Sequence, residues 1–353
     1  MTTPKRARGF SLVEVMVAML IGLIGTIIIF QVFAISEAQK RTTTGVSDAQ
    51  QNGLLALFNL EREARMAGYG LNYAGLLGCA VSAHDNGQAP VPARDFNFTL
   101  TAVQIADGAA GAPDSITFAY GNSNLSVQPS KLTAANVAGG TMNKVDLRFG
   151  WQVNDLMLVG EDGKACSLRQ VSKLSAALGE LDQVEHTGLR YNKAGGLTVA
   201  YAAWDNTAAA GGRAYTLGPS PTVITYSLAN NALQVQNLIA SNVASTAVDG
   251  IVQLQAEYGK DTDGNGDVDK WDNVTPANAA EWASVIAVRI AVVARSQNPE
   301  KINPAFVCDT TINPPQWKGN VNISLAADPN WQCYRYRVFE TIVPIRNQIW
   351  KPE

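Results

Sequence analysis

The sequence predicts an α+β protein: a long N-terminal helix, with a transmembrane half and an amphipathic half, followed by a mostly antiparallel β-rich globular domain. Three observations carry this expectation. An apolar run extends from Val15 to Ile35 and is broken only by Gly22, Gly25, Thr26 and Gln31. Beyond it, apolar residues recur at steps of three and four through Val46, Ala49, Gly53, Leu57, Leu60, Ala64 and Ala67. After residue 70 the period changes to two, and no helix-sized segments regularly separate the runs.

The apolar run has the length of a membrane span, since about 20 residues at about 1.5 Å each cross a hydrocarbon core of roughly 30 Å. Lys5, Arg6 and Arg8 precede it, which keeps the N-terminus cytoplasmic and sends the rest outward. A cleaved signal peptide would use the same basic residues and end near Ala34-Ile35-Ser36, but the apolar stretch is too long for one. The helical spacing then continues to Gly68-Tyr69-Gly70, a stop signal. A helix from about Phe10 to about Ala67 is close to 85 Å long by its rise. Leu54 and Phe58 are expected to widen its buried stripe, and Glu61, Arg62 and Arg65 to flank it.

The strands follow in order. Ser115 to Tyr120, Val145 to Phe149 and Leu197 to Tyr201 alternate apolar and polar residues. The stretch TVITYSLANNALQVQNL reads as a hairpin turning at Ala229-Asn230-Asn231. Ile251 to Tyr258, Ser284 to Val293 and Tyr336 to Ile345 complete the set. The expected domain is one globule of two sheets resting on the end of the long helix.

Composition narrows the function. With 16% charged residues, a formal net charge of -3 and a pI near 5.5, the chain has no global basic field to hold nucleic acid. Cys79, Cys166, Cys308 and Cys333 lie far apart, without the short spacing of a zinc or redox site. A dispersed, even set favours disulfides if the chain leaves the cytoplasm. Four cysteines allow three pairings; the one expected here is Cys308 with Cys333 and Cys79 with Cys166, the nearer pair closing the shorter loop.

Glu14 stands out, because a lone carboxylate at membrane depth costs a few kcal/mol. The stretch Gly9-Phe10-Ser11-Leu12-Val13-Glu14 resembles the cleavage and methylation motif of type IV prepilins and type II secretion pseudopilins. That resemblance implies a leader over residues 1–9, cleavage after Gly9 by a prepilin peptidase, and N-methylation of Phe10. Residues 10–35 then form the transmembrane and filament-core helix, 36–68 its amphipathic half, and 69–353 the periplasmic or extracellular domain. It also gives Glu14 a partner: the new α-amine of Phe10 on a neighbouring subunit.

The runs EYGKDTDGNGDVDKWDN, EWASVIAVRIAVVARS and RYRVFETIVPIRN look like PilW-type minor pilins. The resemblance implies a minor pilin that primes pilus assembly with other minor pilins and the major pilin. It further implies a place at the pilus tip, where an adhesin is carried, after residence in the inner membrane of a Gram-negative cell. Roughly residues 80 to 240 carry no matched motif. The same N-terminal chemistry also suits a type II secretion pseudopilin, and an uncleaved anchor would instead hold a binding protein at the membrane.

Asp261-Thr262-Asp263-Gly264-Asn265-Gly266-Asp267-Val268-Asp269 fits the start of a calcium loop. Asp261, Asp263 and Asn265 would offer side-chain oxygens, Asp267 its carbonyl, and Asp269 a carboxylate. Asp272 stands at the twelfth position, where an EF-hand has a glutamate. No amphipathic helix pair flanks the loop, so the expectation is a standalone calcium loop between strands; the alternative is a solvated turn. His84 and His186 are expected to be incidental surface or loop residues. No nucleophile motif appears, so no enzyme is expected. Trp151, Trp204, Trp271, Trp282 and Trp331 are expected to pack rather than to line a sugar site.

Overall fold

The computed structural model describes residues 9–89, 92–125, 128–241, 243–300, 307–326 and 328–349. A 55-residue helix spans Leu12–Met66. From Leu12 to Ile35 no residue of it is buried, and this is the one described helix long and apolar enough to cross a membrane. Its second half docks on the domain through Gly45, Ala49, Gly53, Ala56, Leu60, Glu63 and Ala64. These steps of three and four place one narrow line of mostly small residues against the sheet, so the backbones approach closely.

Leu54 and Phe58 do not widen that line. They are 53% and 60% exposed and point away from the domain. At about 100° per residue, Phe58 lies nearly opposite Leu60 on the helix. The helix ends at Ala67, after which Gly68 and Gly70 adopt φ of +82° and +79°, a conformation that favours glycine.

The described strands form five sheets rather than two. A four-stranded antiparallel sheet carries the helix; its order is Lys270–Asp272, Ile251–Lys260, Val285–Arg295, Tyr336–Pro344. A five-stranded sheet contains the hairpin Thr222–Ala229 and Ala232–Asn237, flanked by Ser245–Asp249 on one side and by Ser115–Tyr120 and Val103–Ala106 on the other. The hairpin turns at Asn230 and Asn231, with φ of 53° and 58°, as a two-residue turn of matching twist demands.

A six-stranded sheet runs Arg94–Thr99, Ala80–Asp85, Cys166–Gln170, Leu156–Gly160, Arg213–Gly218, Ser130–Lys131. Its Ala80–Asp85 and Cys166–Gln170 strands pair parallel, while the other described pairings are antiparallel. A three-stranded sheet joins Met142–Lys144, Gln183–Glu185 and Lys173–Leu174, and a small one joins Gln316–Trp317 to Val321–Asn322.

Two expected strands are absent. Val145 makes a single bridge to Leu132, and Leu147 and Phe149 beyond it are exposed. Leu197 to Tyr201 is irregular apart from a bridge between Tyr201 and Asn136. The alternation there still reports burial correctly, because Leu197 and Tyr201 point into a core while Thr198 and Ala200 face outward. Periodicity marks the inward-facing side chains at Leu197 to Tyr201 but not at Val145 to Phe149, and at neither does it ensure a hydrogen-bonded neighbour.

Candidate functional site

The expected processing point lies between Gly9 and Phe10. Gly9 has no atom within 4 Å of the position a side chain would take, and Phe10 is exposed. The bond between them is open to an enzyme. Residues 1–8, with Lys5, Arg6 and Arg8, lie outside the described residues.

Ser11 caps the helix. Its hydroxyl accepts the Glu14 N–H at 3.2 Å, and Glu14 Oε2 accepts the Ser11 N–H at 2.9 Å. This reciprocal pair satisfies two donors that a helix start leaves free. A carboxylate in the first turn also complements the positive end of the helix dipole. Glu14 is thus aimed toward the N-terminus, and the capping box leaves its Oε1 free among the described residues. The sequence analysis missed this cap, although a serine three residues before a glutamate is its usual signal.

Close packing and hydrogen bonds fix the other half of the helix to the domain. Gly45 lies against Ser296, and Gly53 lies under the Phe339 ring. Thr42 Oγ1 donates to the Glu300 carboxylate at 3.0 Å, and Glu300 pairs with Arg335 at 2.9 Å. Glu63, only 3% exposed, accepts from the Tyr120 hydroxyl at 2.6 Å and from Arg62 at 2.6 Å. Burial, and then the hydrogen bond to Glu63, push the Tyr120 hydroxyl up to about 12, so it remains a donor. At the helix end, Asn347 Nδ2 donates to the Met66 and Ala67 carbonyls. Glu63 was missed because charge suggested exposure, yet its position beside Leu60 and Ala64 placed it on the buried line.

Both expected disulfides form, Cys79–Cys166 and Cys308–Cys333. The first joins the chain just after the helix to the six-stranded sheet, and the second closes a 25-residue separation near the C-terminus.

In the acidic loop, Asp261, Asp263 and Asp269 offer carboxylate oxygens within 4.8 Å of one another. Asp261 accepts the Gly264 and Gly266 N–H groups, Asp263 the Asn265 N–H, and Asn265 Oδ1 the Asp267 N–H. Backbone and hydroxyl bonds from Thr262 hold the Asp269 carboxyl below the usual range. Asp272 does not join the group. It pairs with Lys260 at 2.7 Å and Lys270 at 2.8 Å; burial opposes its charge, but these lysines hold its carboxyl low. Asp267 also lies outside the close trio. The residues present suit a hard cation with oxygen ligands, with Asp272 engaged by its lysines instead.

The histidines differ from expectation and from each other. His84 pairs with Asp95 at 2.6 Å, whereas His186 is buried in a core. Trp151 and Trp282 sit in two separate cores, and Trp204 and Trp271 stack on Arg213 and Arg289. These four share no surface.

Residues 4–30 match the prokaryotic N-terminal methylation motif, and residues 214–347 match the type IV pilus-assembly protein W family. The chain is similar to PilW-like type IV pilins. No curated protein and no solved structure matches it. In this PilW-like chain the methylation motif contains Gly9, Phe10, Ser11 and Glu14, the residues of the processing point and the capping box. The family match contains the helix-bearing sheet, the acidic loop and the Cys308–Cys333 bridge. It starts at residue 214, inside the stretch from 80 to 240 that carried no motif in the sequence.

Proposed function

We propose that this pilin is a minor subunit of a type IV pilus, a non-enzymatic building block that acts in priming assembly and at the tip. The observation that carries the reading is the helix: behind a prepilin motif, no residue of its apolar half is buried against its own domain. Leu54 and Phe58 extend that unpartnered side past the span. Such a surface requires lipid first and other helices afterwards. Prepilin peptidase removes the leader after Gly9, and the chain waits in the inner membrane with its domain in the periplasm. Docking then brings Glu14 to the Phe10 amine of an adjacent minor or major pilin. Two isolated charges become one pair, and removing one partner of a buried pair costs about 3 to 5 kcal/mol.

The five-sheet domain is bulky for a shaft that repeats many times, which suits a subunit at the tip beside an adhesin. The match to the pilus-assembly family favours this over the type II secretion pseudopilin reading. The acidic trio is proposed to take calcium, with Asn265 and the Asp267 carbonyl completing the shell and Asp272 excluded by its lysines.

Replacement of Gly9 by a bulky residue tests the reading. The expected product is an uncleaved, membrane-held precursor absent from sheared pili. A normally processed chain in the pilus fraction would overturn it.

A further inference from the structure

Part of the domain has a core of its own, in which Leu132, Val145, Val171, Val184 and Leu197, at and around the three-stranded sheet, meet Met157 of the six-stranded sheet. His186 follows the strand Gln183–Glu185 and is 2% exposed. Its backbone N–H donates to Thr141 O at 2.9 Å, but neither ring nitrogen has a partner among the described residues. Arg169, on Cys166–Gln170, is 3% exposed. Its Nη2 donates to Gly196 O at 2.6 Å, and its Nε has no partner among the described residues. This interior already holds one guanidinium without a paired carboxylate, so a second positive charge beside it would have nothing to balance it.

We infer that this lobe is an acid-sensitive unit, which loosens when His186 takes a proton while the helix-bearing sheet stays folded. Arg169, from the neighbouring sheet, is the charged group acting on the ring. Arg169 in turn feels Tyr201, whose hydroxyl is engaged with Ser167 and Ala165, and Asp95, which pairs with His84 and Lys193. On the adjoining strands Glu185 pairs with Lys173, and in the loop between them Glu180 accepts the Ser175 hydroxyl. Asp182 stands at the far end of the His186 strand, and its carbonyl accepts the Val145 N–H. None of these carboxylates bonds to the His186 ring.

Burial first, and Arg169 second, push the imidazole from 6.5 down to about 4. Between those values the opened lobe binds a proton that the closed lobe excludes. Closure is therefore fully favoured above about pH 6.5 and weakens as pH falls to about 4. Asp114, in the main core, has the opposite sign. Burial raises it to about 6 against hydrogen bonds from the Gly108 and Ala256 N–H groups, so acidification relieves a cost there. The two regions should separate on acidification.

Amide hydrogen exchange on the full chain in detergent micelles tests this. From pH 7 to 4.5, after correction for intrinsic rates, the opening equilibrium of Val145, His186 and Tyr201 amides should rise roughly fiftyfold. Amides in Ile251–Lys260 and Val285–Arg295 should not follow. His186→Gln should remove the dependence. If that variant does not fold, imidazole titration of the native chain, whose histidines are only His84 and His186, should show one ring well below the ordinary value. Opening that is independent of pH, unchanged in His186→Gln, or accompanied by ordinary titration of His186 would overturn the inference.

Discussion

Gly53 of the long helix lies directly under the ring of Phe339, with no space between them for a methyl group. This contact sets how closely the helix approaches the strand Tyr336–Pro344, and with it the position of the domain on its assembly helix. Gly53→Val should lower the stability of the domain by about 1–3 kcal/mol through overpacking. Thermal unfolding in detergent reads it. Phe339→Ala in the same chain should restore part of the loss, and a double variant no better than Gly53→Val alone would show that the contact does not limit the approach.

Glu14→Ala should separate maturation from assembly. Cleavage at Gly9 should proceed, while recovery in sheared pili falls, because docking loses its carboxylate. The capping box with Ser11 is lost too, which costs about 0.5–2 kcal/mol of helix start. Ser11→Ala therefore serves as the comparison: if both variants lose the same incorporation, the cap matters and the intersubunit pair does not.

The sequence made the helix legible because a 3.6-residue period, a basic start and a glycine stop coincide. The hairpin at Asn230-Asn231 was legible because few residues tolerate its positive φ. What escaped depends on neighbours distant in sequence. Leu54 and Phe58 are apolar, and only the position of the sheet shows which side of the helix is covered. Asp272 has ligand chemistry, but Lys260 takes its carboxylate from the facing strand. Val145 to Phe149 alternates in sequence, yet only Val145 of its apolar residues is buried, and it makes a single bridge. The number of sheets was likewise invisible, since local alternation does not say which strands meet.

Loss of a disulfide should weaken each end differently. Cys79→Ser with Cys166→Ser should destabilise the main core by about 2–5 kcal/mol, and the Cys308–Cys333 pair should give a loss in the same range near the C-terminus. Melting curves of the two double variants check this. Free thiols in protein purified from the periplasm would contradict both bridges.

Calcium should order the loop at Asp261, Asp263 and Asp269, where like charges now repel. Binding to the folded state adds about 2.7 kcal/mol when calcium exceeds Kd a hundredfold, so chelation should lower the melting temperature. Asp263→Ala should remove most of that dependence, Asp272→Asn should leave it in place, and magnesium should substitute poorly. Calorimetry that detects no binding, with a melting curve unmoved by chelator, leaves only a turn.

The most direct measurement is the N-terminus of the chain recovered from sheared pili, read by Edman degradation and intact mass. An assembled pilin should begin at N-methylated Phe10, with residues 1–9 absent and Glu14 at the fifth position of the mature chain. A chain that still begins at Met1, or one cut near Ala34, would make this an ordinary anchored or secreted protein and contradict the assembly mechanism.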